Sequence, residues 1–259
     1  MLEELARRAP LLLCLDYDGT IAEIVSRPAL ARPIAGVVDA LRALARHPER
    51  VAPAIVSGRP IAELRRMTGL GDEVMFAGVH GLEIAGRDAV VRVPAEAAQC
   101  AVEIDRVRDF LRRNADPAAG FEVEDKRLSV ALHYRNADPV AAAALCARLE
   151  QLVRAETPSL RAAHNKMVLE ALPRAASKGA ALRALSAAAG PAFVPVYFGD
   201  DRTDEDAFAE LGERGVAVMV GQPRPTRAPW RVDAPADVAR LVIGLAAALD
   251  RAAAGGSLA

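Results

Sequence analysis

Residues 11–20 read LLLCLDYDGT. Five apolar side chains run without a break into Asp16 and Asp18, two carboxylates separated only by Tyr17. An apolar run of this kind fits a strand covered on both faces, as at the centre of a parallel sheet. Like charges side by side at its end cost free energy unless a cation or a reaction uses them.

On either side the pattern alternates between helix and strand. A helix is expected over about 33–47, with Pro33 in its first turn. The apolar strand VAPAIVSG (51–58) and a short helix from Ile61 follow. MFAGVHGLEIAGRDAVVRVP (75–94) fits a strand and then a hairpin around Gly86-Arg87-Asp88. The middle changes character. Residues 96–113 are amphipathic, and FEVEDKRLSVALHYR (121–135) alternates like a half-exposed strand pair. An Ala-rich helix covers 139–156, and LRAAHNKMVLEALP (160–173) is strand-like again. Alternation resumes with a helix over 177–189, the strand VPVYFGD (194–200), a helix over 203–212, the strand GVAVMVG (215–221) and a helix over about 235–251. GQPRPTRAPW (221–230) reads as a surface loop and AAAGGSLA (252–259) as a frayed tail.

This predicts an α/β fold: a doubly wound parallel-sheet (Rossmann-like) core at 1–96 and 173–259, with an inserted α/β cap domain at 97–172. In such sheets ligands bind at the carboxyl ends of the strands. Bulk composition narrows the partners. The 259 residues carry 33 Lys plus Arg against 34 Asp plus Glu, so no excess of positive charge points to nucleic acid. A hydrophobic content of 52% is ample for a packed core. Cys14, Cys100 and Cys146 are scattered and read as small buried residues in a reducing compartment. The first residues lack a signal-peptide pattern and LLLCL is too short to span a bilayer, so a cytoplasmic protein without membrane association is expected. No long heptad is visible, which favours a monomer.

Four strand ends or helix starts gather polar residues: Asp16-Tyr17-Asp18-Gly19-Thr20, Ser57-Gly58-Arg59, Ser177-Lys178-Gly179, and Gly199-Asp200-Asp201 with Thr203-Asp204-Glu205-Asp206 behind it. Asp16 and Asp200 could offer oxygens to a hard cation, for which Mg²⁺ is the natural candidate. Ser57 offers a hydroxyl and a backbone N–H, and Lys178 a charge at a helix N-terminus, where phosphate is favoured. Together these make a phosphoryl site in which Asp16 attacks and Asp18 serves as acid and then base. Each piece also has a plain reading. The paired aspartates could be a turn or a metal site, Ser57-Gly58 a simple turn, Lys178 a solvated lysine, and Thr203 with Asp206 a capping-box variant. GxxxxGK[ST], GxGxxG after a strand, GxSxG and HExxH are all absent.

DYDGT, IVSGR, SKGAAL and GDDRTDEDAF, in this order, resemble the four motifs of the haloacid dehalogenase-like hydrolase superfamily. GVHG (78–81), VEDKRLSVALHYR (123–135), NKMVLE (165–170) and the full GDDRTDEDAF are similar, more narrowly, to the trehalose-6-phosphate phosphatase family. The resemblance implies Asp16 as nucleophile and Asp18 as general acid/base, with Ser57, Gly58 and Lys178 holding the phosphate. It implies Mg²⁺ on Asp16, the backbone carbonyl of Asp18 and Asp200, with Asp201 or Asp204 helping through water. His80 and Gly81 would line the seam between core and cap, and Tyr17 and Arg59 would belong to the substrate cleft. Lys126, His133, Arg135, Lys166 and Glu170 would meet the disaccharide from the cap. The chain departs from the family's pattern at Asn165, where Gly usually precedes the lysine matched by Lys166. By periodicity alone, His133 and Arg135 could instead be the solvent face of a strand, and Lys126 with Glu124 a surface pair.

The implied activity is Mg²⁺-dependent hydrolysis of trehalose 6-phosphate to trehalose and phosphate. The alternatives are a phosphatase or mutase for another phosphosugar, and a catalytically inactive fold serving as a sugar-phosphate sensor or partner-binding module. The intact set Asp16, Asp18, Ser57, Lys178 and Asp200 speaks against the last.

Overall fold

The computed structural model describes residues 6–7, 10–88, 90–165 and 167–255. The chain divides into two compact units, one formed by 1–92 and 177–259 and the other by 93–176.

The first unit is built on an eight-stranded sheet. Its strands are β1 (Leu11–Asp16), β2 (Val51–Val56), β3 (Met75–Gly78), β4 (Glu83–Ala85), β5 (Val91–Arg92), β10 (Val194–Gly199), β11 (Val216–Val220) and β12 (Trp230–Val232). Their order across the sheet is β12-β11-β10-β1-β2-β3-β4-β5. All neighbours are parallel except β3–β4 and β4–β5, which pair antiparallel. The apolar run 11–15 therefore sits mid-sheet, with Leu11 registered between Val51 and Val194. Its side chains divide between two cores. Leu11, Leu13 and Leu15 join residues of α1 (Val37–Ala45), α2 (Ile61–Thr68) and α8 (Pro235–Gly255). Leu12 and Cys14 join those of α6 (Lys178–Ala189) and α7 (Asp204–Leu211) on the other face. The expected doubly wound parallel core is thus borne out, and the helices explain why both faces of β1 are apolar.

The second unit carries the four-stranded antiparallel sheet β6 (Glu122–Asp125), β7 (Val130–His133), β9 (Val168–Pro173) and β8 (Leu160–Asn165), in the order β6-β7-β9-β8. Val130, Leu132, Leu169 and Ala171 share a core with Ile104, Val107 and Leu111 of α4 (Ala101–Asn114) and Leu145, Leu149 and Val153 of α5 (Pro139–Glu156). Asp138 caps α5 by accepting from the backbone N–H groups of Val140 and Ala141, both at 3.0 Å, with Pro139 in the first turn. This unit runs beyond the expected 97–172 at both ends. At the start, Pro94 caps the short helix α3 (Ala95–Ala98). At the end, Arg174 N donates to Ser159 O and Arg161 Nη2 to Ala176 O, which ties 174–176 to the β8 side.

Three local expectations need correction. The first helix starts at Val37 rather than near Pro33, because Pro33 pairs with Ala22 and Ile34 N donates to Ile21 O. The chain before Val37 is thereby tied to the turn after β1. The Pro- and Arg-rich segment ends in an edge strand, β12, paired parallel to β11. The last helix continues to Gly255, and the rest of the expected tail, 256–259, lies outside the described residues. No helix among the described residues is long and apolar enough to cross a membrane.

Candidate active site

The sheet's strand order reverses around β1: the chain proceeds to β2 and β3 on one side and later to β10 and β11 on the other. Asp16 ends β1, Ser57 follows β2, His80 lies just past β3 and Asp200 follows β10. All four stand at carboxyl ends of adjacent strands, where an open α/β sheet forms its crevice.

Lys178 and Asp204 close the cluster. Lys178 opens α6, whose cap Ser177 accepts the N–H of Ala180 at 3.0 Å. Its Nζ donates to Asp16 Oδ1 at 2.8 Å and to Asp204 Oδ1 at 2.7 Å, and all three residues are buried. Asp204 Oδ1 also accepts from Tyr197 OH at 2.9 Å, and Oδ2 from Asp201 N at 2.9 Å. The plain reading of Lys178 as a solvated lysine is therefore excluded. Burial works against its charge, but Asp16 and Asp204 outweigh burial and hold its pKa well above the ordinary value.

One ammonium does not balance the carboxylates around it. Oxygens of Asp16, Asp200 and Asp204 lie within 4.8 Å of one another. Burial, and then the charge of Asp204, push the Asp200 carboxyl up to about 7. Asp16 is raised as well, mainly by burial, with Asp204 and Asp200 opposing the help of Lys178. Asp201 differs: its Oδ1 accepts the N–H of Thr203 at 2.5 Å and its hydroxyl at 2.7 Å. Lys178 and these donors hold its pKa low against burial. An oxygen-only donor set, buried at Asp16 and Asp204 and half-buried at Asp200, with excess negative charge fits a hard divalent cation.

Two glycines permit this crowding. Gly19 has φ +85°, and a Cβ there would come within 2.1 Å of Asp200 Oδ2. A Cβ on Gly58 would come within 2.7 Å of His80 Nε2. His80 is left-handed (φ 54°), and its N–H donates to Ser57 O at 3.0 Å, so the loops after β2 and β3 lock together. Gly81, also at positive φ, would carry a Cβ 2.9 Å from Ser177 O, which sets it against the start of α6.

Asp18 is held by Arg59, whose Nε and Nη2 donate to Oδ2 at 2.7 Å and Oδ1 at 2.8 Å. Tyr17 is fully buried, its ring 5.5 Å from the Arg59 guanidinium carbon, so its side chain acts in packing. Two contributors escaped sequence reasoning. Tyr197 passed for one more member of an apolar strand, although a phenol inside such a run needs a partner. Arg224, in the Pro-rich loop, donates to Asp201 O at 2.7 Å and to Glu205 Oε1 at 2.7 Å, bracing the loop after β10. An arginine among prolines was the signal available for it.

In the second unit, Glu124, Ala131 and Glu170 stand in one row across β6, β7 and β9. Buried Glu170 accepts from Ser129 Oγ at 2.6 Å and from Lys126 Nζ at 3.2 Å through Oε1, while His133 Nε2 lies 2.8 Å from Glu124 Oε2. Lys126 is thus engaged with Glu170 and Glu124 with His133, rather than the two forming an isolated surface pair. Arg135 lies past the end of β7 in an exposed turn, off the strand face. Lys166 lies outside the described residues; Asn165 ends β8 and Met167, beyond it, has φ 63°.

Comparison with known proteins places this geometry among relatives. A family model described as trehalose-phosphatase matches residues 14–236. The trehalose-phosphate phosphatase of Mycobacterium ulcerans (strain Agy99) is 37% identical over 246 residues, covering 90% of this chain and 61% of that protein. The trehalose-phosphate phosphatase of Mycobacterium tuberculosis (strain ATCC 25618 / H37Rv) is 34% identical over 248 residues, with 92% and 61% covered. The chain thus spans about three fifths of the length of these curated relatives. Among solved structures, the C-terminal domain of Candida albicans trehalose-6-phosphate phosphatase superposes with a TM-score of 0.79 over 95% of both chains. At 23% identity that likeness speaks for the fold alone.

Proposed function

The chain belongs to the trehalose-phosphatase family, and from that premise we propose that it hydrolyses trehalose 6-phosphate to trehalose and inorganic phosphate through an aspartyl-phosphate intermediate. The observation that carries the reading is Lys178 bridging Asp16 and Asp204 beside Asp200, at the crevice end of the sheet.

Magnesium is the cation we assign to the carboxylate cluster, where it would supply positive charge against both the phosphate and the aspartates. Asp16 and Asp200 are its direct ligands in this reading, with the backbone carbonyl of Asp18. Asp204 already takes three donors on its two oxygens and serves to anchor Lys178. Asp201 is spoken for on one oxygen by Thr203.

A carboxylate oxygen of Asp16 forms the new bond to phosphorus as the bond to the sugar's C6 oxygen breaks. Asp18, entering this half as the carboxylic acid, delivers its proton to that oxygen. Asp18, now a carboxylate, takes a proton from water as the water attacks phosphorus, and Asp16 leaves as the carboxylate it was. Lys178, the Ser57 hydroxyl and the Gly58 backbone hold the phosphate oxygens in both halves. His80 and Gly81 shape the loop beside Ser57. Lys126, His133, Arg135, Lys166 and Glu170 are assigned to the sugar hydroxyls.

The test is phosphate release, with Mg²⁺ and with chelator, from trehalose 6-phosphate, sucrose 6-phosphate, glucose 6-phosphate and mannose 6-phosphate, with Asp16→Asn as the blank. The expected result is Mg²⁺-dependent release with trehalose 6-phosphate strongly preferred. Preference for another sugar would keep the chemistry and remove the substrate, and release from none would remove both.

A further inference from the structure

Arg59 is held from several directions. A guanidinium has five N–H donors, and the protein occupies four of them. Nε and one Nη2 donor hold the two oxygens of Asp18, Nη1 donates to Glu63 Oε1 at 2.5 Å, and Nη2 also reaches Pro28 O at 2.9 Å. The guanidinium carbon lies 5.5 Å from the Tyr17 ring centroid, and the Arg59 backbone N–H donates to Ser57 Oγ at 3.2 Å. The arginine side chain is 11% exposed and that of Asp18 40%. Among the described residues, Arg59 is the partner that fixes the Asp18 carboxylate. Glu63, Pro28 and Tyr17 in turn fix the fork that grips it.

We propose that Arg59 is a positioning residue for Asp18, setting the orientation from which protons are transferred, rather than a contact to the sugar. A carboxyl group that must give a proton to a leaving oxygen and later take one from a water depends on its rotamer. An exposed aspartate without a bidentate partner would spread over several. Arg59 supplies that partner in a planar geometry a lysine cannot reproduce. Its remaining contacts are to protein, which leaves little of the side chain for a ligand.

This inference rests on the proposed phosphatase reading and is tested on the same enzyme. The measurements are kcat and KM on trehalose 6-phosphate and glucose 6-phosphate for wild type, Arg59→Ala, Arg59→Lys, Asp18→Asn and the Arg59→Ala/Asp18→Asn pair. Thermal melts check folding. Misplacement of a catalytic group by about 1 Å costs on the order of 10²-fold, and a kcat loss of that size is expected in Arg59→Ala. KM should change little, the loss should be similar on both substrates, and added guanidinium should recover part of it. In the Asp18→Asn background the arginine substitution should cost nothing further. Should Arg59→Ala fold poorly, Arg59→Lys decides: the same kcat loss in a wild-type-like melt is expected, and full activity overturns the proposal. A rise in KM confined to trehalose 6-phosphate, or a full further loss in the double variant, also overturns it. Wild type inactive on every phosphomonoester would instead defeat the phosphatase reading beneath it.

Discussion

Lys178 donates from one buried ammonium to both Asp16, at 2.8 Å, and Asp204, at 2.7 Å, although the two carboxylates come from opposite ends of the chain. This contact joins the first motif to the last. Breaking a buried pair by removing one partner costs about 3–5 kcal/mol, because the other charge is left uncompensated. Lys178→Met should therefore abolish turnover and lower stability by an amount in that range, read by denaturant unfolding of the chelated protein. A variant that is inactive but as stable as wild type would mean that the two carboxylates already have another counter-charge.

The same crowding sets a pH dependence. In the folded protein the Asp200 carboxyl titrates at about 7 against an ordinary 3.8, raised by burial and then by Asp204. Between these values the folded state binds more protons than the unfolded state, so stability falls as pH rises. In chelator-treated protein the melting temperature should drop between pH 5 and pH 8 by more in wild type than in Asp200→Asn. Added Mg²⁺ should offset the drop increasingly above pH 7, where the proton no longer competes for the ligand. Equal pH slopes in the two proteins would show that Asp200 is an ordinary carboxylate.

Much of this was legible in residues 11–20. An apolar run filling two cores and ending in paired carboxylates has few other places in an α/β sheet, and Pro139–Glu156 was legible from its alanine-rich composition. What escaped was what tertiary contact decides. Pro33 carries a valid helix-start signal, but the pairing of Pro33 with Ala22 overrides it. Trp230–Val232 becomes a strand because β11 offers it an edge, which no local pattern announces. The Arg59–Asp18 pair spans 41 positions, and nothing in either motif says that they meet.

Tyr197 supplies a test of how Asp204 is anchored. Its hydroxyl donates to Asp204 Oδ1 at 2.9 Å from a fully buried position in β10. A hydrogen bond to a charged group contributes about 1.5–3 kcal/mol. Tyr197→Phe should lose stability in that range and lower kcat, since Asp204 is the anchor that aims Lys178 and the phenol helps to hold it. Unchanged kcat would assign the phenol to packing alone.

Gly19 separates backbone strain from metal binding. At φ +85° an alanine costs about 1–2 kcal/mol for its left-handed conformation. A Cβ there would also overlap the Asp200 carboxylate, 2.1 Å from Oδ2, so the aspartate must move. The first effect acts on folding and the second on the cation site. Gly19→Ala should therefore show a modest loss of stability together with a clear rise in the Mg²⁺ concentration giving half-maximal phosphate release. Gly36, also left-handed (φ +84°), faces the flexible end of Ile243 instead, so Gly36→Ala should show the stability loss without the shift in Mg²⁺ requirement. If both variants keep the wild-type Mg²⁺ dependence, Asp200 is not the ligand that Gly19 makes room for.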